Sequence, residues 1–198
     1  MKTHQQAGFS LVETLITILV VSIGLLGFAA LQINALNSSI DTFSRNQAVI
    51  ILEDAVARIR NNRDYTNTDK LQANAYTNDS SDFYTWCDIE KNTIPVASCK
   101  SGEACSFSKL AKEDIYQICQ TLVSTKLPNA IIGSKCFDRD SSDADSCSVG
   151  SRMSLYMAWK GFNRKDVSGK ENYSQNTRCQ TEVGLASDYA CVQLELVQ

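Results

Sequence analysis

The side chains best placed to do chemistry are eight cysteines, at 87, 99, 105, 119, 136, 147, 179 and 191, four clustered aspartates, and one isolated carboxylate, Glu13. Thiols in this number bind metal, react or pair as disulfides. Zinc needs close cysteine pairs or histidine partners. No Cys-x-x-Cys spacing occurs here, and the one histidine, His4, is far from every cysteine. An even count therefore points to four disulfides and an oxidising compartment. Asp138, Asp140, Asp143 and Asp145 could offer a hard cation several oxygens. The helix–loop–helix calcium pattern fails, however, because its sixth position is Asp143 rather than glycine and its twelfth is Val149 rather than glutamate. The cluster reads as a solvated acidic loop, and no metal is expected. With histidine confined to position 4, Ser-His-Asp and Cys-His centres are not expected either. Neither a Walker motif nor a G-x-G-x-x-G loop occurs. The reading is a non-enzyme without cofactor, in which Trp86, Tyr156 and Trp159 pack a core or sheet. A net charge of −3 without a basic patch argues against direct nucleic-acid binding.

Glu13 poses the harder question. No other charge follows it until Asp41. The intervening segment, most apolar from Leu15 to Leu36, would span about 33 Å as a helix. That matches a bilayer core of roughly 30 Å. A lone carboxylate there costs several kcal/mol unless something pairs with it. Lys2 precedes the run and the cysteines follow it, so the positive-inside rule keeps the N-terminus cytoplasmic and exports the rest. A cleaved secretory signal would have a shorter apolar region ending in a small-x-small site, and none closes this run.

The elements that position these groups follow from periodicity. Between Thr42 and Arg60, Phe43, Ala48, Val49, Leu52, Ala55, Val56 and Ile59 recur at helical spacings, and Asp54 and Arg58 form an i,i+4 pair. Anchor and amphipathic stretch together predict one helix of about 50 residues, ~75 Å long, ending near Asn61 and Asn62. Residues 63–85 are polar and read as a loop. A second helix is expected over 106–127, capped by Ser106 or Ser108, with Leu110, Ile115, Ile118, Leu122 and Val123 as its apolar face and Pro128 as its stop. Three strand-like runs follow, at 130–137, 153–162 and 189–197. The fold class is α+β: a long N-terminal helix packed against a C-terminal antiparallel sheet carrying disulfides.

The opening "QQAGFSLVETL" resembles the leader and mature start of type IV pilins and type II secretion pseudopilins. The resemblance implies a short leader, residues 1–8, cut between Gly8 and Phe9 by a prepilin peptidase that also methylates the new amino end of Phe9. Glu13 then becomes the fifth mature residue, the family's nearly constant glutamate. In such filaments it is expected to meet the methylated Phe9 amine of a neighbour, so that the charge sets assembly register. Its own Phe9 amine, at i−4, could give partial relief in a lone anchor. Many major pilins carry proline where this chain has Ala30, and "IGLLGFAALQ" looks more like the family's minor pilins. Gly24 and Gly27 read as sites of close helix packing or as a soft point in the anchor.

The resemblance also implies an organisation: leader 1–8, transmembrane and filament-core helix 9–36, amphipathic continuation 37–62, and a disulfide-rich head over 63–198. It implies storage in the bacterial inner membrane with the head in the periplasm, then incorporation into a cell-surface pilus. Implied partners are the peptidase, other minor pilins and the major pilin, supporting adhesion, twitching motility and DNA uptake indirectly. A minor pseudopilin of a type II secretion system and a tip adhesin remain open alternatives. Eight cysteines allow roughly a hundred pairings. With short loops as the most economical choice, the expected pairs are Cys136 with Cys147, Cys179 with Cys191, Cys99 with Cys105, and Cys87 with Cys119. The Cys179–Cys191 loop would resemble the C-terminal disulfide loop of many pilins.

Overall fold

The computed structural model describes residues 10–66, 75–77, 82–99, 104–140, 142, 147–161, 164–165, 171–172 and 177–197. The chain divides into two units, at Ile40 and Asp41. Helix α1, Leu11–Asn61, contributes to both. The first unit is the apolar part of that helix. In the second unit, the rest of α1 is followed by a one-turn helix α2 (Arg63–Thr66), strand β1 (Tyr84–Asp88), helix α3 (Phe107–Thr125), strands β2 (Ile131–Phe137) and β3 (Arg152–Lys160), a two-residue pair β4 (Arg164–Lys165) and β5 (Glu171–Asn172), helix α4 (Thr177–Val183) and strand β6 (Tyr189–Val197).

A four-stranded antiparallel sheet in the order β1-β2-β3-β6 forms the second unit's scaffold. The apolar stripe of α1 supplies Ala48, Ile51, Leu52, Ala55 and Ile59 to one core with α3 and the inward residues of the sheet, among them Ile132, Met153, Leu155, Met157 and Trp159. Within β6 the alternation resolves as expected, with Val192, Leu194 and Leu196 on this core and Cys191 on the opposite face. That outer face is covered in part: Tyr156, Ala158 and Tyr189 pack there with Cys179 of α4. Central strand β3 is consequently buried on both sides.

The structure departs from several sequence-based placements. Phe43 is 60% exposed, and Ser44 and Ile51 take the buried positions instead. Leu110 and Val123 are likewise turned outward, while Ala111, Asp114 and Cys119 line the buried face of α3. Ser106 caps that helix by accepting the Lys109 N–H, and Lys126 closes it in the left-handed region at φ 55°. The segment read as a loop over 63–85 contains α2 and the start of β1. Its residues 67–74 and 78–81 lie outside the described set.

Gly133 is the tightest backbone approach in the sheet. It lies opposite Thr85 on β1 and Tyr156 on β3. A Cβ there would run into the Tyr84 carbonyl oxygen and sit 2.8 Å from Tyr156 Cε1. Backbone on one side and a buried ring on the other leave little to give. Gly133→Ala is expected to lower unfolding free energy by about 3 kcal/mol, read as a shifted urea midpoint. An unchanged midpoint would mean that β1 is not docked on β2 as described.

Candidate functional site

The first unit holds the groups that could anchor and assemble the chain. Helix α1 opens with the Ser10 carbonyl accepting the N–H groups of Glu13 (3.0 Å) and Thr14 (3.2 Å). Glu13 thus occupies the first turn, where a carboxylate complements the helix dipole. Thr14, Thr17 and Ser22 return their hydroxyls to carbonyls three or four residues back, at 2.8, 2.8 and 2.7 Å. No hydroxyl among these three needs water, which suits a lipid or a dry packed environment. Every large apolar side chain from Leu11 to Leu36 is exposed, and α1 is long and apolar enough to cross a membrane. A Cβ added at Gly24 or Gly27 would meet nothing within 4 Å, so both glycines lie open on the helix surface. Among the described residues Glu13 makes no ion pair. Gly8 and Phe9, the expected cleavage and methylation positions, lie outside the described residues.

In the second unit the cysteines form four cross-links. Cys87 joins Cys119, Cys99 joins Cys105, Cys136 joins Cys147, and Cys179 joins Cys191, with Cα separations of 6.0, 6.0, 5.7 and 5.8 Å. The first ties β1 to α3. The last ties α4 to β6. Cys136–Cys147 closes the acidic loop, where Asp138 Oδ1 accepts from the Ser148 N–H and hydroxyl and the Ser151 hydroxyl. Burial pushes the Asp138 carboxyl up, but these bonds outweigh it and hold it below the ordinary value. Asp138 is thus engaged in bracing its own loop. Asp143 and Asp145 lie outside the described residues.

A buried polar network was not foreseen from the sequence. Arg58 donates to Asp54 at 2.8 Å, as its i,i+4 spacing suggests. It also reaches Gln117 at 2.8 Å and Asp114 at 3.4 Å on α3. Tyr76 donates its hydroxyl to Asp114 Oδ2 at 2.6 Å and accepts from Asn62 Nδ2 at 3.2 Å. Burial, then the bond to Asp114, raises the Tyr76 pKa far out of the working range, so it stays a neutral donor. The Tyr76 carbonyl accepts from Trp86 Nε1 at 2.9 Å and from the Ser134 hydroxyl. The network therefore locks α1, α3 and the sheet to one another. It is a brace that joins elements far apart in sequence.

Glu113 does a similar task at the surface. Its carboxylate accepts the N–H groups of Ser98 (2.8 Å) and Cys99 (3.1 Å), holding the Cys99–Cys105 loop against α3. The Cys99 N–H, against an opposing burial effect, leads in lowering the Glu113 pKa from its ordinary 4.5, with help from the Ser98 N–H and Gln117. A depressed folded value stabilises the fold above the unfolded pKa and loses that contribution as pH falls through the folded pKa. The stability difference between the wild type and Glu113→Gln should therefore be constant at neutral pH and shrink below about pH 4.5. Urea titrations at stepped pH check this; a difference that grows on acidification would contradict it.

Two family profiles match the chain. Residues 3–29 match the prokaryotic N-terminal methylation motif, a span that includes Gly8, Phe9 and Glu13. Residues 30–116 match the Tt1218-like family, described as type IV pilin Tt1218, from within the apolar helix to the first half of α3. No curated protein and no solved structure matches.

Proposed function

We propose that this chain, a type IV pilin with an N-terminal methylation motif and hence a pilus or pseudopilus subunit, serves as a minor pilin of the PilV kind. Pilins are structural subunits, processed by a prepilin peptidase and assembled with other pilins. In this reading residues 1–8 are the leader, 9–36 the membrane and filament-core helix, 37–62 its amphipathic continuation, and 63–198 the exported head. Before assembly the chain waits in the inner membrane with the head in the periplasm. It then joins other minor pilins and the major pilin in priming or building the filament.

One observation carries the reading. An apolar, outward-facing helix begins with a carboxylate in its first turn and ends by supplying the core of a disulfide-braced domain. The first half has no packing partner within its own unit, so membrane and sister helices are its natural surroundings. The second half belongs to the head and supplies part of its core. Ala30 and the "IGLLGFAALQ" string support the minor-pilin choice within the family.

Crosslinking in cells followed by identification of the joined peptides tests the choice. The expected partners are other minor pilins of a type IV pilus, with piliation reduced when the chain is deleted. Partners drawn from a type II secretion pseudopilus would reject the minor-pilin reading and leave pilin processing standing.

A further inference from the structure

A small cleft opens where the end of α1 and α2 meet the end of β6. It is lined by Ile59, Arg60, Arg63, Thr66, Leu196 and Val197 and has a volume of about 350 Å³. Its floor is apolar and buried, since Ile59 and Leu196 belong to the core. Its rim carries two exposed guanidinium side chains. Arg45, Arg58, Arg152 and Arg178 each have a carboxylate partner, but Arg60 and Arg63 have none among the described residues. The hydroxyl of Thr66 is already given to the Arg63 carbonyl at 2.9 Å. Two unpaired guanidiniums over an apolar floor suit one carboxylate.

The complementary group lies at the same end of the sheet. Phe137, Arg152 and Val197 are register partners across β2, β3 and β6. The acidic loop therefore leaves β2 about 10 Å, two strand spacings, from Val197. Asp140 is exposed in that loop, with its Oδ1 accepting from the Ser142 N–H and hydroxyl. Arg139 beside it is exposed too, with its side chain lying near Gly150. Val149 and Val197 expose 59% and 71% of their surface around these charges. Cleft and carboxylate do not pair within one chain, yet they are opposite in sign and laterally offset. A surface of that kind is self-complementary about a two-fold axis.

We infer that this end of the sheet docks a second copy of the chain, the Asp140 carboxylate of each copy entering the Arg60–Arg63 cleft of the other. A polyanion such as nucleic acid fits less well, because two arginines make only a small cationic patch on a chain of net charge −3. Val149 and Val197 supply the apolar contact that exposed ion pairs alone lack. The inference is independent of the chain's place in a filament.

The test uses the full chain in detergent, carrying Arg63→Lys, as an equal mixture of light-isotope and heavy-isotope copies treated with a carbodiimide. A mixed-isotope peptide joining the lysine at 63 to Asp140 is expected. Asp140→Asn should abolish it, and about 1 M salt should cut its yield roughly fivefold or more by screening. Without the crosslinker, Arg60→Glu with Arg63→Glu should weaken self-association, and adding Asp140→Arg should restore it. The inference is overturned if only single-isotope peptides form, if the lysine joins a carboxylate other than Asp140, or if Asp140→Asn leaves the yield unchanged.

Discussion

A Glu13→Val chain is expected to insert into the membrane and lose its leader as the wild type does, yet to enter filaments about tenfold less. The physical reason is the cost of a charge left alone in apolar surroundings. Valine favours insertion, so the membrane step has no cause to fail. In the assembled state, however, the methylated amine of a neighbour's Phe9 would face no carboxylate. Breaking a buried pair by removing one partner costs about 3–5 kcal/mol. Even a third of that, discounted for water near the filament core, is about tenfold in an equilibrium constant. The helix itself tolerates the change, because Glu13 contributes only a first-turn dipole interaction worth under about 1 kcal/mol. Helix content and stability should thus be nearly unchanged while incorporation collapses. Quantitative immunoblots of sheared filaments against the membrane fraction measure incorporation, and circular dichroism with thermal melts measures helix content and stability. Wild-type incorporation of the variant would remove the role given to the carboxylate.

The second large effect concerns the head. Removing Cys87–Cys119 by paired alanine substitution is expected to lower unfolding free energy by about 4 kcal/mol, from the closure entropy of its 32-residue separation. Removing Cys99–Cys105, separated by 6 residues, should cost only about 2 kcal/mol by the same relation. The first pair is also fully buried between β1 and α3, so packing is lost with the bond. Domains of this size have about 5–15 kcal/mol in all, so the Cys87–Cys119 variant should be partly unfolded near growth temperature. Urea midpoints of the two double variants give the ranking. Equal losses would mean that the cross-link between β1 and α3 does not restrain the unfolded chain as described.

Legibility in the sequence followed the range of the forces involved. The apolar run, the Asp54–Arg58 pair, the Ser106 cap and the alternation of β6 all arise from neighbours within a turn or a pleat, and the structure has them all. What escaped depends on tertiary placement. Phe43 fits the helical period, but the buried stripe runs instead through Ser44, Ala48, Ile51 and Leu52. Strand β1 hides because Trp86, Cys87 and Asp88 are buried consecutively, across a register shift between Thr85 and Cys87, so no alternation shows. Helix α4 has 7 residues, too few to display a period. Arg58 meets Asp114 across 56 residues, a separation at which nothing in the spacing signals a bond. The candidate sites divide similarly. The position of Glu13 at the head of an apolar helix was readable residue by residue, whereas the cleft of Arg60 and Arg63 exists only because β6 returns beside the end of α1.

The account rests on maturation of the amino end, and the intact mass of the chain isolated from its native cells tests this most directly. It predicts a polypeptide that begins at Phe9 and carries one added methyl group on that residue's amine. A chain still beginning at Met1, with no shortened and methylated form, would contradict it.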